Sequence, residues 1–489
     1  MAWFEMHERN SPQLFWLNGI AGIGKSTVAS TISSIVDKRG ELGASHFFSR
    51  INGRINHATV FTSFAYQLSK YDRRMKKEIA QALDEDSEVG FQAIKDQFRL
   101  LIVEPLSRLP FPPNRLLFVI DALDECQEAG AEELLTQLLA QVSHIPFLKV
   151  LITGRPEHHI TSTLHLRKGH ETIVMHDIEQ HVVEGDMDVF FRGQFRKIQE
   201  QFRRMGVIWE WTEEQLRELV RRAGKLFIYA VTVCKYIGDR GIAEPAEQLR
   251  IVLGAGSVLC SSSPYADLDA LYTQLLSVAI PPKRDDRLVE RFHIAVGAII
   301  TLVEPLPIDA LVRLTNLPIA PLGALLVKLS SVLSIPDSCS DTLEIYHPSF
   351  PDFLKDPRRC EEERYLIVPA HAHARLAANC LDLMILHLKR DMCGIKDHSK
   401  MNKDVEGLED RVRKVIPPWL RYACLHWGQH VINAPAEDVK VVESLERFCQ
   451  VGLVYWIEAL SVLGCLESAT QPLIRIQNWA VRLFSLLEG

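Results

Sequence analysis

The first 176 residues alternate between short apolar segments and longer amphipathic segments. Apolar segments at residues 14–17, 116–120 and 148–152 have the length of buried strands. Between them, residues 57–71 and 91–105 place apolar side chains at helical spacing. Because strands that alternate with helices usually pair in parallel, the pattern predicts an α/β domain at residues 1–176, with a parallel sheet and helices on both faces.

From residue 177 onward the pattern is mostly helical and predicts three further regions. Residues 177–265 form a small helical domain that ends in a Gly/Ser-rich linker. Residues 266–360 combine helices with a hairpin near residues 332–346, which predicts a winged-helix domain. Residues 361–489 carry apolar helical faces throughout and predict an all-α C-terminal domain.

A glycine-rich loop follows the first apolar segment and fills the pattern G-x-x-x-x-G-K-[ST]. This phosphate loop, residues 19–27, contains Gly19, Gly22, Gly24, Lys25, Ser26 and Thr27. Glycines let backbone N–H groups turn toward a phosphate, and the helix that follows presents its positive end to the same anion. Lys25 can reach the β- and γ-phosphates, and the Ser26 hydroxyl can ligate Mg²⁺. The sequence therefore predicts an α/β P-loop NTPase domain, followed by helical, winged-helix and all-α C-terminal regions.

An acidic cluster follows the second apolar segment. Asp121 ends this segment, and Asp124 and Glu125 come shortly after it. Ligands of open α/β sheets bind at the carboxyl ends of the strands. We expect Asp121 to hold Mg²⁺, and Glu125, with Asp124, to polarise the water that attacks the γ-phosphate.

An arginine follows the third apolar segment. Arg155 stands directly after Gly154 at the end of the predicted strand. An arginine at such a strand end can detect whether a γ-phosphate is bound. An ordinary surface arginine in a turn is the alternative that the residues leave open.

Four segments together resemble the NACHT domains of fungal NLR-like proteins, which belong to the signal-transducing ATPases with numerous domains (STAND). They are residues 16–19, 47–50, 120–126 and 153–156. The nephrocystin-type N-terminal P-loop domain is similar in pattern. The resemblance implies that Lys25 and Ser26 serve phosphate and Mg²⁺, that Asp121 serves the metal, that Glu125 is the hydrolytic base and that Arg155 is the γ-phosphate sensor.

Two later segments extend this resemblance. Residues 224–230 resemble the small-domain segment of the family, but the proline that touches adenine in plant and apoptotic relatives is absent. His347 stands where relatives have a histidine that hydrogen-bonds the β-phosphate of ADP. A histidine with only local hydrogen bonds is the alternative at this position.

The resemblance implies a molecular switch that binds ATP or ADP with Mg²⁺ and hydrolyses ATP slowly. GTP use is ascribed to some fungal relatives. The implied role is signalling of the fungal innate-immunity or heterokaryon-incompatibility type, with self-oligomerisation in the ATP-bound state. Effector and sensor partners are expected, but the sequence does not identify them.

Composition and charge narrow the list of partners. The chain has 489 residues and a formal net charge of −7, which argues against nucleic acid as a partner of the whole chain. The ten cysteines form no C-x-x-C pair, so they indicate neither a zinc site nor a disulfide framework. The longest apolar run, about ten residues near 294–303, is too short to span a bilayer. We therefore expect a cytoplasmic protein without a membrane partner.

Three alternative functions remain at this point. A small-molecule kinase could use the same phosphate loop, but an acceptor pocket and an Arg-rich lid are not recognisable. A regulatory GTPase would need N-K-x-D, whereas Val405 replaces the aspartate after Asn402, and Asp124 replaces the glycine of D-x-x-G. A winged-helix DNA regulator is disfavoured by the acidic balance.

Overall fold

The computed structural model describes residues 1–6, 11–111, 113–165, 170–254, 263–281, 286–336, 338–395, 399–469, 473–477 and 479. The chain divides into two units, Met1–Ile237 and Gly238–Gly489, and each unit is described by itself. The predicted boundaries at residues 176, 265 and 360 stay predictions. Most of the predicted linker, residues 255–262, lies outside the described residues.

A five-stranded sheet organises the first unit. Its strands are β1 (Leu14–Asn18), β2 (Leu42–Phe47), β3 (Leu116–Asp121), β4 (Leu148–Gly154) and β5 (His170–Val174). Their order in the sheet is β2-β3-β4-β1-β5, and every neighbouring pair is parallel. Strand β4 is therefore inserted between β1 and β3, and the connection from β1 to β2 must cross to the far edge of the sheet. The parallel sheet that the sequence predicts is confirmed.

Helices cover both faces of the sheet. The helices of the first unit are α1 (Ala2–Glu5), α2 (Lys25–Lys38), α3 (Val60–Tyr71), α4 (Arg73–Glu85), α5 (Ile94–Phe98), α6 (Glu104–Ser107), α7 (Glu128–Gln141), α8 (His158–His165), α9 (Gln180–Arg204), α10 (Glu213–Ala223) and α11 (Phe227–Ile237). Phe118 and Ile152 join a core with residues of α3, α5, α7 and α8. Val119 and Leu151 face the opposite side and join a core with residues of α1 and α2. Alternate strand positions are thus buried on opposite faces, which explains the continuous apolar runs in β3 and β4.

The register of the sheet brings the carboxyl ends of its strands to one edge. Asn18 lies opposite both Gly154 and Val174, and Phe47 lies opposite Asp121. The loops that follow β1, β3 and β4 therefore leave the same edge of the sheet. This is the edge where α/β proteins bind their ligands.

The prediction of one continuous helix through residues 91–105 is wrong. The segment is divided among a 3₁₀ turn at Val89–Phe91, α5, a π-helical turn at Arg99–Val103 and α6. Phe91 does not join the apolar face, because its side chain is 90% exposed. The aromatic residue falls before the helix begins, so the spacing that links it to Ile94 and Phe98 is not helical.

The second unit is mainly helical. Its helices are α12 (Pro245–Gly254), α13 (Ala266–Ala279), α14 (Asp286–Thr301), α15 (Ile308–Thr315), α16 (Ile319–Val327), α17 (Ser349–Lys355), α18 (Pro369–His387), α19 (Leu408–Val415), α20 (Pro418–Asn433), α21 (Val439–Val451) and α22 (Leu453–Val462). The predicted hairpin is present as the short antiparallel strands β6 (Leu333–Ser334) and β7 (Glu344–Ile345). Assignment of this region as a winged helix stays a prediction.

The sequence predicted helices throughout residues 361–489. The structure contains these helices, but non-helical segments separate them. Residues 388–395 and 399–401 are not helical, and Pro417 separates α19 from α20. Proline cannot donate the helical hydrogen bond, so a prolyl pair at 417–418 starts a new helix instead of continuing the old one. Among the described residues no single helix is both long and apolar enough to cross a membrane, although the bent pair α15 and α16 meets those criteria in combination.

Candidate functional site

The phosphate loop connects the end of β1 to the start of α2. Gly22 and Gly24 have φ angles of 82° and 103°, in the left-handed region that strains any residue with a Cβ atom. At Gly19, an added Cβ would lie 3.1 Å from Cγ2 of Ile23 and 3.2 Å from Cβ of Met175. The loop therefore needs glycine at two positions for conformation and at a third for close packing.

Lys25 begins α2 and bends back over the phosphate loop. Its Nζ atom donates to the carbonyl oxygens of Gly19 at 2.7 Å and Ile20 at 3.0 Å. Burial lowers the pKa of the Lys25 amine, and the nearby carboxylate of Asp124 acts in the opposite direction. A buried cation that has only neutral acceptors gains strongly from an anion. The residue is therefore placed to bind a phosphate group.

Asp121 lies at the end of β3 and is almost fully buried. One carboxylate oxygen accepts a hydrogen bond from Oγ1 of Thr153 at 2.5 Å, and the side chain is also hydrogen-bonded to Ser26. Burial raises the pKa of the Asp121 carboxyl, and these hydrogen bonds oppose the shift. A carboxylate and a hydroxyl held side by side are oxygen ligands of the kind that Mg²⁺ prefers, so these residues fit the metal.

Thr153 also fixes the turn that carries the acidic cluster. Its Oγ1 atom accepts from the backbone N–H of Ala122 at 3.0 Å. Ala122 has a φ of 55°, an unusual conformation for a residue other than glycine. Sequence reasoning did not assign a role to Thr153, although a threonine that ends an apolar run is a visible signal.

Glu125 is held by Arg50, which follows β2. The backbone N–H of Arg50 donates to Oε2 of Glu125 at 2.8 Å. The guanidinium group donates to the carbonyl oxygens of Glu125, at 3.4 Å, and Asp124. Burial raises the pKa of the Glu125 carboxyl, against the hydrogen bond from Arg50. Arg50 was part of a recognised segment, but its contact with Glu125 could not be seen in the sequence.

Asp124 binds Arg155 with both carboxylate oxygens. Oδ1 accepts from the backbone N–H of Arg155 at 3.0 Å, and Oδ2 lies 3.2 Å from Nε of the guanidinium group. The side chain of Asp124 is 5% exposed and that of Arg155 is 29% exposed. An added Cβ at Gly154 would lie 3.3 Å from Oδ1 of Asp124, so glycine permits this close approach. Arg155 is therefore not an ordinary surface arginine in a turn, because its side chain is partly buried against Asp124.

The start of α11 contacts the phosphate loop. The backbone N–H of Ile228 donates to the carbonyl oxygen of Gly22 at 3.1 Å, and an added Cβ at Gly24 would lie 3.7 Å from Cδ2 of Phe227. Nζ of Lys225 donates to the carbonyl oxygens of His176 and Ile178, each at 2.6 Å. Residues 224–230, which lack the proline of plant and apoptotic relatives, therefore contact the phosphate loop through a backbone hydrogen bond.

His347 lies in the second unit and has local hydrogen bonds. Its Nδ1 atom accepts from the backbone N–H of Ser349 at 3.1 Å and lies 2.8 Å from Oγ of the same residue. Oγ of Ser349 is also 2.8 Å from the hydroxyl of Tyr272. His347 thus has local hydrogen bonds, and its contact with a nucleotide stays a prediction. In the phosphate loop of the first unit, Ser26 and Thr27 are exposed and lie in the first turn of α2.

These elements place Asp121, Asp124, Glu125 and Arg155 near enough to Lys25 for their charges to affect the pKa of its amine. A phosphate loop beside a buried acidic strand end, on a sheet of order β2-β3-β4-β1-β5, defines a P-loop NTPase. Residues 2–155 match the family model described as Nephrocystin 3, N-terminal.

The similarity to a characterised protein extends beyond the family model. The chain is 22% identical to vegetative incompatibility protein HET-E-1 of Podospora anserina over an alignment of 512 residues. This alignment covers 97% of the chain and 35% of the relative, so the chain spans about a third of that protein. The chain is therefore similar to P-loop NTPases of the NACHT/STAND type, as its sequence motifs indicate.

Two solved structures show weaker similarity. The STAND protein with a tetratricopeptide repeat sensor from Pyrococcus horikoshii is 14% identical, with a TM-score of 0.38 and coverage of 97% of this chain and 63% of that chain. A Walker-type ATPase of Pyrococcus abyssi is 17% identical, with a TM-score of 0.34 and coverage of 71% and 95%.

Proposed function

We propose that the protein is a switch operated by ATP and ADP with Mg²⁺, and that it hydrolyses ATP slowly to reset itself. The observation that carries the proposal is the pairing of Arg155 with Asp124 beside the phosphate loop. A γ-phosphate would offer Arg155 an anionic partner other than Asp124, whereas ADP would not. The two nucleotides would then favour different arrangements of the same arginine, which is the differential contact that a population shift requires.

The γ-phosphate would compete with Asp124 for the guanidinium group. A hydrogen bond to a charged group contributes about 1.5–3 kcal/mol, which corresponds to roughly tenfold to a hundredfold in affinity. Lys25 would contact phosphates in both nucleotide states and so would contribute affinity without discrimination. Discrimination between ATP and ADP is therefore assigned to Arg155.

Hydrolysis is assigned to Glu125. Its carboxylate would take a proton from water while the water oxygen bonds to the γ-phosphorus, and the bond from that phosphorus to the β–γ bridging oxygen would break. The raised pKa of Glu125 makes it a stronger base than an exposed carboxylate. Ser26 and Asp121 would hold Mg²⁺, which supplies charge neutralisation at the phosphates when it is bound.

The signalling role of the switch is proposed from the similarity to HET-E-1. The name of HET-E-1 describes vegetative incompatibility, and we extend to this chain a role in fungal signalling of that type, in the cytoplasm. His347 would bind the β-phosphate of ADP in the resting state, and release of this contact would allow self-assembly. Because the chain spans only 35% of the relative, effector and sensor partners belong to this proposal as well.

The test is to identify the nucleotide that co-purifies with the protein and to measure its mass in solution. We expect a monomer with ADP and a larger assembly with a non-hydrolysable ATP analogue. Lys25→Ala should abolish nucleotide retention, because Lys25 is the cation that faces the phosphates. Lys38→Ala is the matched control, since Lys38 is the exposed last residue of the same helix.

Two outcomes would contradict the proposal. Stoichiometric nucleotide in Lys25→Ala would show that the phosphate-loop assignment is wrong. An unchanged mass together with rapid turnover on a small-molecule acceptor would identify the protein as a kinase instead of a switch.

A further inference from the structure

The second unit contains a cavity that is separate in sequence from the phosphate loop. It has a volume of about 270 Å³ and is lined by residues of α14, α15, α18 and α21. Ile294, Leu314 and Leu376 supply apolar side chains from three of these helices. Leu314 and Leu376 are almost fully buried, so the walls are part of the packed core. A cavity of this size and lining accommodates a small molecule with an apolar part.

The charged groups at this cavity are all cationic. Arg375 from α18 and Lys440 from α21 line it, and among its described lining residues there is no aspartate or glutamate. Both side chains are exposed, and neither forms an ion pair within the part of the chain that the structure describes.

Amide groups add polar contacts at the same place. Asn379 of α18 donates through Nδ2 to the carbonyl oxygen of Leu314 at 2.8 Å, which fixes the end of α15 against α18. Asn316, in a left-handed conformation with φ of 54°, directly follows α15 and also lines the cavity. A few convergent polar groups on apolar walls are typical of small-molecule sites.

A second cavity continues the first. It has a volume of about 340 Å³, and His293, Ala372 and Arg375 line both cavities. Its described lining contains one carboxylate, that of Glu363. Arg375 therefore lines both cavities.

We propose that this cleft binds a small organic anion, a phosphate monoester or a carboxylate that carries an apolar group. Arg375 and Lys440 would pair with the anionic group, and the guanidinium fork suits both carboxylate and phosphate. The apolar group would occupy the space between Ile294, Leu314 and Leu376. Such a ligand would bridge four helices of the second unit, and the proposal does not depend on the function of the phosphate loop.

The test is calorimetric titration of the full chain with hexyl phosphate, hexanoate and hexylammonium. Saturating ADP and Mg²⁺ keep the phosphate loop from binding the phosphate probe. We expect saturable binding of one or both anions and none of the cation, and comparison of the two anions shows which headgroup is preferred. Arg375→Gln and Lys440→Gln should each weaken binding at least tenfold.

Matched controls separate this site from general surface charge. Arg390→Gln and Lys389→Gln remove the same charges just beyond the end of α18 and should leave binding unchanged. Ala298→Leu fills the cavity without changing charge and should also weaken binding, with unfolding temperature as the check that the variant is folded. The proposal is overturned if no anion binds saturably at millimolar concentration, if hexylammonium binds equally well, or if the folded Arg375 variant keeps its affinity.

Discussion

The Nε atom of Arg155 lies 3.2 Å from Oδ2 of Asp124, and the backbone N–H of Arg155 donates to Oδ1 of the same carboxylate. Two strands that are neighbours in the sheet, β3 and β4, supply these residues from their carboxyl ends. The contact connects a candidate γ-phosphate sensor to the acidic cluster that follows β3. Under the proposed function, a bound γ-phosphate would compete with Asp124 for this guanidinium group.

Replacement of Arg155 by alanine should weaken binding of a non-hydrolysable ATP analogue by at least about tenfold, because a hydrogen bond to a charged group contributes about 1.5–3 kcal/mol. ADP affinity should change little, since only ATP offers the γ-phosphate. Titration with a fluorescent derivative of each nucleotide measures both constants. Arg39→Ala is the control, because Arg39 pairs with Glu5 at the surface. Equal losses for ADP and the analogue would argue against a sensor role.

Thr153→Val should destabilise the first unit by about 1–3 kcal/mol and weaken Mg²⁺-dependent nucleotide binding. Valine matches the shape of threonine but leaves the buried N–H of Ala122 without its acceptor. It also removes the donor to Asp121, so the pKa of that carboxyl should rise further and disfavour the metal-binding form. Thr153→Ser keeps the hydroxyl and should retain Mg²⁺ affinity. Urea unfolding and Mg²⁺ titration test the pair, and identical behaviour of the two variants would exclude the hydroxyl as the cause.

Ile228→Pro should weaken nucleotide binding while leaving α11 in place. Ile228 is the second residue of α11, where proline is tolerated because the N–H group has no partner within the helix. The substitution removes the N–H that donates to the carbonyl oxygen of Gly22, and it also replaces the buried side chain of Ile228. Ile228→Val keeps this hydrogen bond and serves as the control. Circular dichroism checks the helix, and unchanged affinity in a folded Ile228→Pro protein would show that the contact is not needed.

The second unit should lose stability as pH falls from about 6.5 to about 4. His373 and His430 lie with their Nδ1 atoms 2.8 Å apart, and Nε2 of His430 lies 2.8 Å from the hydroxyl of Tyr422. Burial lowers the pKa of His373 from 6.5 to about 4, and it lowers that of His430 in the same direction. In this window the unfolded chain binds protons that the folded chain does not, so acid favours unfolding. For His373 the loss is at most about 3 kcal/mol.

Urea unfolding at several pH values, followed by tryptophan fluorescence, measures this dependence. His373→Gln should flatten the slope between pH 6.5 and 4, since the titrating group is gone. His371→Gln removes an exposed histidine from the same helix and should leave the slope unchanged. A slope that does not respond to His373→Gln would assign the acid sensitivity to other groups.

Sequence patterns were sufficient to predict the strands and helices that contain long apolar runs. β3 and β4 are buried on both faces, so most of their residues are apolar and the segments stand out from their surroundings. The helix face at residues 57–71 is equally clear, because Phe61, Phe64 and Leu68 are fully buried. Residues 91–105 were less predictable, since a π-helical turn and a proline interrupt the period on which the prediction depends.

The sequence by itself determined the phosphate loop, because glycines at 22 and 24 and Lys25 are local requirements of one turn and one helix start. It also indicated which acidic residues end the strand beside that loop. Only the tertiary structure decided that Thr153 fixes Ala122, that Arg50 holds Glu125 and that Ile228 binds the loop. These contacts join residues far apart in the chain, and their geometry follows from sheet order and register, which local spacing does not encode.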